Sequence, residues 1–144
     1  MFEFQSMPGH LIRRAHQVAT AVFAEAMADQ AIDLTPFQFA ALAAVGAHPG
    51  IDQASVARQA ACDKATMGGV INRLVEKGLL RREQSKTDRR ARVLELTEQG
   101  ETVLDRTRAV VDDIQNRLTD GLSATERDTL VSLLQRIALD RDTE

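Results

Sequence analysis

Between Asp52 and Gly78 the chain has room for two helices and almost no connection between them. Asp52 and Asp63 each stand where an N-cap carboxylate belongs, and Gly78 stands where a helix ends in a left-handed residue. The spacing predicts a short helix from Asp52 to about Ala60, a turn at Ala61 and Cys62, and a second helix from Asp63 to about Lys77. Two short helices joined so tightly read as a helix-turn-helix. Next come Leu79 to Ser85, a basic connection over Lys86 to Arg90, and Val93 to Thr97 with Val93, Leu94 and Leu96. Those stretches predict a β-hairpin, so the centre of the chain reads as a helix-turn-helix carrying a wing.

The flanks are helical. Leu11, Ala15, Val18 and Val22, with Ile12, Ala19 and Phe23 beside them, give a wide apolar stripe over residues 11 to 28. Thr35 as N-cap, Pro36 at the first helical position and Gln38 in a capping box open another helix, with Leu34 and Phe39 placed as a hydrophobic staple. It should end near His48, before Pro49 and Gly50. Thr97 caps a long helix to about Leu118, and Ser123 with Glu126 starts a last one through Leu130, Leu133, Leu134 and Ile137. The expected fold is mainly α with a small β-hairpin wing. Long terminal helices around so small a centre are hard to bury in one copy, so a homodimer is expected. The expected boundaries are a winged lobe over 34–97 and dimerisation helices over 1–31 and 98–144.

A length of 144 residues suits this one unit and not two enzymatic domains. The net charge of −3 argues against a general polyanion binder, but the average conceals a segregation. From Cys62 to Thr97 nine basic residues face five acidic ones, whereas six arginines face eleven acids beyond Thr97. A basic segment inside an acidic chain is the footprint expected when that segment alone meets phosphate. Cys62 is the only cysteine and His10, His16 and His48 are scattered, which leaves no metal set and no internal disulfide. Cys62 itself reads as a small buried residue rather than a redox sensor. Glu25, Asp29 and Asp33 lack a nucleophile, a phosphate loop or metal spacing, so no enzyme and no cofactor are expected. Without a signal peptide in Met1 to Gly9 or an apolar run long enough to span a bilayer, a cytoplasmic protein with no membrane partner is expected.

On a helical wheel Met67, Val70, Ile71 and Leu74 face the core, Ala65, Gly69, Asn72 and Glu76 lie opposite, and Thr66 and Arg73 flank them. This small, polar outer face suits a major groove. Gly68 and Gly69 are unfavourable inside a helix, and close approach to DNA would account for them. They supply no side chains, so base reading falls to Lys64, Ala65, Thr66, Asn72 and Arg73. In the hairpin Arg81, Arg82, Lys86, Arg89, Arg90 and Arg92 crowd together, and an arginine at the tip suits a narrow minor groove. Asp88 could hold the Arg90 guanidinium by a bidentate pair. The alternative reading is an architectural protein that binds DNA without sequence preference.

Asn72, Arg73 and Leu74 with Glu76, Lys77, Gly78 and Leu79, then Asp88, Arg89, Arg90 and Ala91, then Leu96, Thr97, Glu98, Gln99 and Gly100 resemble the MarR family of bacterial regulators. The likeness covers nearly the whole chain. It implies a triangular homodimer on a palindromic operator in double-stranded DNA, repressing transcription until a small, often phenolic, ligand releases it. It also implies that Arg90 is the wing arginine of the minor groove and Asp88 its orienting carboxylate. Gly68 and Gly69 depart from the polar residues many members carry there. The family's redox branch carries a cysteine in the first helix, which is absent here, so the chain resembles the ligand-sensing branch. Its opening Pro8 to Arg14 is similar to members that respond to aromatic carboxylates. On that likeness His10, Arg13, Arg14 and His16 would meet a carboxylate beside the hinge of the DNA-binding lobe, with Phe23, Phe37 and Phe39 as apolar walls.

Overall fold

The computed structural model describes residues 3–139; residues 1–2 and 140–144, the extremities of the two flanking segments, lie outside the described residues. After a 3₁₀ turn at Phe4–Ser6, the order is α1 (Pro8–Asp29), α2 (Pro36–Ala47), β1 (Ile51–Asp52), α3 (Gln53–Gln59), α4 (Lys64–Glu76), β2 (Leu80–Gln84), β3 (Arg92–Leu96), α5 (Glu98–Leu118) and α6 (Ala124–Ala138). Every α-helix after α1 starts on a side-chain cap. Thr35 and Gln38 close a full capping box on α2, and Ser123 and Glu126 do the same on α6. Asp52, Asp63 and Thr97 accept from the backbone N–H of Ser55, Thr66 and Gly100. These bonds satisfy amides that a helix leaves unpaired in its first turn.

The turn between α3 and α4 is built without glycine. Ala61 takes φ +52°, and the Cys62 N–H donates back to the Ala57 carbonyl at 2.9 Å, closing a Schellman-type end on α3. Gly78, at φ +75°, ends α4 and turns the chain into β2. The expected hairpin is present as β2 and β3, and β1 joins it to make a three-stranded antiparallel sheet in the order β1-β3-β2. The added strand, β1, pairs Ile51 with Leu94 and Asp52 with Val93. Two residues carry no readable period, so this strand exists only because β3 offers an edge to it.

One core unites the lobe. Leu42 and Val45 of α2, Val56 of α3, Met67, Ile71 and Leu74 of α4, Leu94 of β3 and Leu104 of α5 are all fully buried. Leu34 is buried, and Phe39 packs on the same cluster. By contrast α6 buries none of its residues, and Leu11, Ile12 and Val18 of α1 are exposed. The connection from α1 to α2 is pinned from two sides. Arg106 of α5 donates to the Gln30 carbonyl at 2.7 Å. Lys77, just past α4, donates to the Asp33 carbonyl at 2.7 Å and pairs with its carboxylate at 3.0 Å. Among the described residues no helix is long and apolar enough to cross a membrane.

Candidate nucleic-acid interface

The N-terminal turns of α4 stand clear of the core. Met67, Ile71 and Leu74 are buried and Val70 is half-buried, while Lys64, Ala65, Thr66, Gly69, Asn72 and Arg73 are exposed. Asp63 holds the start rigidly, taking the Thr66 N–H at 2.9 Å and the Thr66 hydroxyl at 2.6 Å. Those bonds, the side-chain one foremost, hold the Asp63 carboxyl below the usual carboxylate range. They also commit the Thr66 proton, so Thr66 offers a partner only its hydroxyl lone pairs and its methyl. Beside this cap Cys62 is half-buried, and burial, assisted by the Asp63 carboxylate, pushes its thiol pKa up. A protonated thiol is a poor nucleophile and redox sensor.

The two glycines differ. A Cβ on Gly69 would meet nothing within 4 Å, whereas one on Gly68 would touch the Gln53 side chain of α3 at 3.4 Å. Only Gly69 therefore opens the outer face for close approach, and Gly68 is turned toward the first helix of the motif. The expectation that close approach to DNA accounts for both glycines is corrected accordingly. Adjacent positions on a helix are about 100° apart, so two neighbouring glycines cannot share one direction.

Along β2 alternate residues point to opposite faces, which divides the arginine cluster. Arg81 is neutralised by Glu83 at 3.2 Å and Glu95 at 2.7 Å, and the Glu95 hydrogen bond raises its pKa. Arg82 turns to the other face, where its guanidinium donates to the Asn72 side-chain carbonyl. Lys86, Arg89, Arg90 and Arg92 remain exposed and, among the described residues, make no ion pair. Arg89, Arg90 and Arg92 line an open groove of about 470 Å³ with Arg82, Glu83 and Gln84.

Side chains shape the wing tip. Ser85 accepts from the Thr87 and Asp88 backbone N–H groups, and Gln84 donates to the Arg89 carbonyl at 2.8 Å. Asp88 accepts from the Arg90 backbone N–H at 3.0 Å, and among the described residues it makes no ion pair with the Arg90 guanidinium. The bidentate pair read from the sequence is thus replaced by an Asx turn. A carboxylate two residues before an N–H reaches that N–H more readily than it reaches a guanidinium at the far end of a long side chain. Asp88 still orients Arg90, through the backbone.

The residues assigned to a ligand are spread over two environments. Phe23 is buried and its ring lies 6.4 Å from that of Phe39, whereas Phe37 is 42% exposed on α2. On α1, half-buried His10 and Phe4 pack T-shaped with ring centroids 5.1 Å apart, the Arg13 guanidinium lies 3.0 Å from His10 Nδ1, and Arg14 and His16 are exposed. Sequence reading missed the Arg82–Asn72 and Lys77–Asp33 contacts, which join residues of different elements.

Comparison with known proteins agrees with this geometry. The model of the MarR family matches residues 32–91, the stretch that holds the helix-turn-helix and most of the wing. The HTH-type transcriptional repressor NicR of Pseudomonas putida is 33% identical over 136 residues, 94% of this chain and 85% of NicR. BpsR of Bordetella bronchiseptica, whose DNA binding is regulated by 6-hydroxynicotinic acid, superimposes with a TM-score of 0.91 at 31% identity, covering 96% of this chain and 98% of BpsR. The transcriptional repressor CouR, solved on a 23-mer DNA duplex, gives a TM-score of 0.87 at 32% identity, covering 96% of each chain.

Proposed function

The chain belongs to the MarR family, and from that membership we propose that it is a homodimeric repressor, held on a palindromic operator until a small aromatic acid releases it. The observation that carries this reading is the pairing of an exposed, rigidly capped α4 start with a wing whose Lys86, Arg89, Arg90 and Arg92 make no ion pair among the described residues. In the proposed complex α4 lies in a major groove, with Lys64, Ala65, Thr66, Gly69, Asn72 and Arg73 at the DNA, and Arg90 enters the adjoining minor groove. Residues 34–97 form the DNA-binding lobe, and residues 1–31 and 98–144 join the two copies. Selection from a random duplex library tests the reading. A repressor recovers an inverted repeat and keeps it against excess random duplex at matched salt, whereas an architectural protein recovers no sequence and yields its complex to the competitor.

For the effector, the exposed Arg14 on α1, one helical turn from the half-buried His10, offers a carboxylate a charge-assisted partner, and α2 exposes the apolar Phe37. BpsR responds to an aromatic acid, which supports the same ligand class here. A ligand seated between α1 and the DNA-binding lobe releases DNA only if it binds the released arrangement more tightly than the bound one. Calorimetric titration with benzoate, hydroxycinnamate and hydroxynicotinate tests this assignment. Arg14→Ala should weaken the responsive acid about tenfold or more, the loss of one charge-assisted contact. Unchanged binding and unchanged DNA release in Arg14→Ala and His10→Ala would remove the site from α1.

A further inference from the structure

We propose that Arg82 restricts which base the recognition helix can read, by taking the side-chain carbonyl of Asn72 and leaving only its amide N–H groups to DNA. This inference rests on the placement of α4 in the major groove proposed above.

Arg82 lies on β2 opposite Leu94, and its guanidinium donates to Asn72 Oδ1 on the exposed face of α4. The orientation of the Asn72 amide follows from chemistry alone. A guanidinium has only donors, so the atom facing it must be the carbonyl oxygen. Asparagine reads adenine by presenting both edges of its amide to one base, accepting from N6 and donating to N7. An amide whose oxygen is turned to the wing strand cannot present both edges. What remains is a donor, suited to guanine O6 or N7, to thymine O4, or to a phosphate oxygen. Adenine N7 also accepts, but the adjoining N6 amino group then meets no acceptor, which disfavours adenine.

Arg82 is poorly placed to swing away. Its Nε is buried, so the root of the guanidinium is held against the lobe while its outer end reaches Asn72. A bond from a charged donor is also stronger than one between neutral groups. Arg81, the adjacent residue, cannot substitute, because it points to the opposite face and is held by Glu83 and Glu95. The pair therefore ties the wing to the recognition helix and sets the hydrogen-bonding sign of one reading position.

Asn72→Asp separates this role from simple stability. Aspartate keeps an acceptor for Arg82, so the variant should melt as the wild type does, yet it has no donor for DNA. Selection from a random duplex library should show wild type favouring guanine or thymine at the position that faces residue 72. Asn72→Asp should lose that preference by about tenfold and favour cytosine, whose N4 donates. Arg82→Met should free the carbonyl and enrich adenine at the same position, and Arg82→Lys, which can still donate, should restore the wild-type profile. If Asn72→Asp selects the same bases as wild type at every position, the inference fails while the regulator reading stands. It fails likewise if a folded Arg82→Met keeps the wild-type profile. Should wild type select no sequence at all, both fall together.

Discussion

Asp88 accepts from the Arg90 backbone N–H, so its contribution to the wing is a fixed turn, and a neutral amide can make the same bond. Asp88→Asn should therefore bind operator about as tightly as wild type, slightly tighter where one negative charge less faces phosphate. Asp88→Ala should weaken it several-fold, and Arg90→Ala more strongly still. A fluorescence titration at fixed salt orders the three. Equal losses in Asp88→Asn and Asp88→Ala would mean that the charge itself, and hence an ion pair in the complex, is what matters. The cap aspartates make a second prediction at this scale. The Ser55 N–H bond first for Asp52, and the Thr66 bonds for Asp63, lower their folded pKa values. A lowered folded value means that the caps stabilise the protein fully above the ordinary carboxylate pKa of about 3.9 and lose that contribution as pH falls through the folded value. Asparagine caps nearly as well and does not titrate. The double variant Asp52→Asn, Asp63→Asn should match wild type in urea midpoint at pH 7 and lose less of it between pH 5 and 3. Parallel pH profiles would assign the acid sensitivity to other carboxylates.

Two glycines show how closely the elements are set against one another. A Cβ on Gly100 would lie 2.0 Å from the Leu79 carbonyl oxygen, so the first turn of α5 packs against the backbone entering β2. The same junction is stitched by Thr97, whose hydroxyl donates to the Gly78 carbonyl at 2.6 Å. A Cβ on Gly46 would lie 2.8 Å from a Leu104 methyl, which can rotate away. Gly100→Ala should then destabilise at the upper end of the overpacking range, about 3 kcal/mol or more, and Gly46→Ala near its lower end, about 1 kcal/mol. Chemical denaturation measures both, and equal costs would contradict the backbone contact. Gly100 stood in the sequence as part of a family signature, without a hint of what it touches. That contrast runs through the molecule. Caps such as Thr35, Asp52, Asp63 and Ser123 were legible because their partners lie three residues away. The α4 core stripe was legible because its period is that of the helix. Lys77 reaching Asp33, Arg82 reaching Asn72 and β1 pairing with β3 were not, because each partner is chosen by how separate elements pack. At the wing the density of arginines was readable, but their division between faces depended on which residues entered β2.

At the scale of the whole molecule the unburied helices are the strongest argument. Leu130, Leu134 and Ile137 recur along α6 with Val131 and Leu133 beside them, and Ile137 and Leu133 are 49% and 47% exposed. Leu11, Ile12 and Val18 of α1 and Leu122 after α5 add further apolar area outside the core. Full burial of a large apolar side chain is worth roughly 1.5–3 kcal/mol and these are about half exposed, so each gains about half that, and covering half a dozen on each of two copies can exceed an association cost of about 4–15 kcal/mol. A second copy offers the same faces and needs no other partner, which favours a symmetric pair built from the N- and C-terminal helices. The acidic excess beyond Thr97 fits this division, since the joining helices then stay off the DNA while the basic lobe meets it. Two lobes held that way would place their α4 helices about 34 Å apart, one turn of duplex. Sedimentation at micromolar concentration should show a dimer. Leu134→Lys with Ile137→Lys should give a monomer that keeps its helical circular dichroism, because neither side chain is part of the core of the lobe. That monomer can engage only half a site at a time, so its affinity for the full inverted repeat should fall by about 10²–10⁴, the gain that linkage of two sites supplies, while its binding to a single half-site changes little. A monomeric variant that still held the full repeat as tightly as wild type would show that one lobe suffices, and a wild type that sediments as a monomer would leave the apolar faces of α1 and α6 to some other partner.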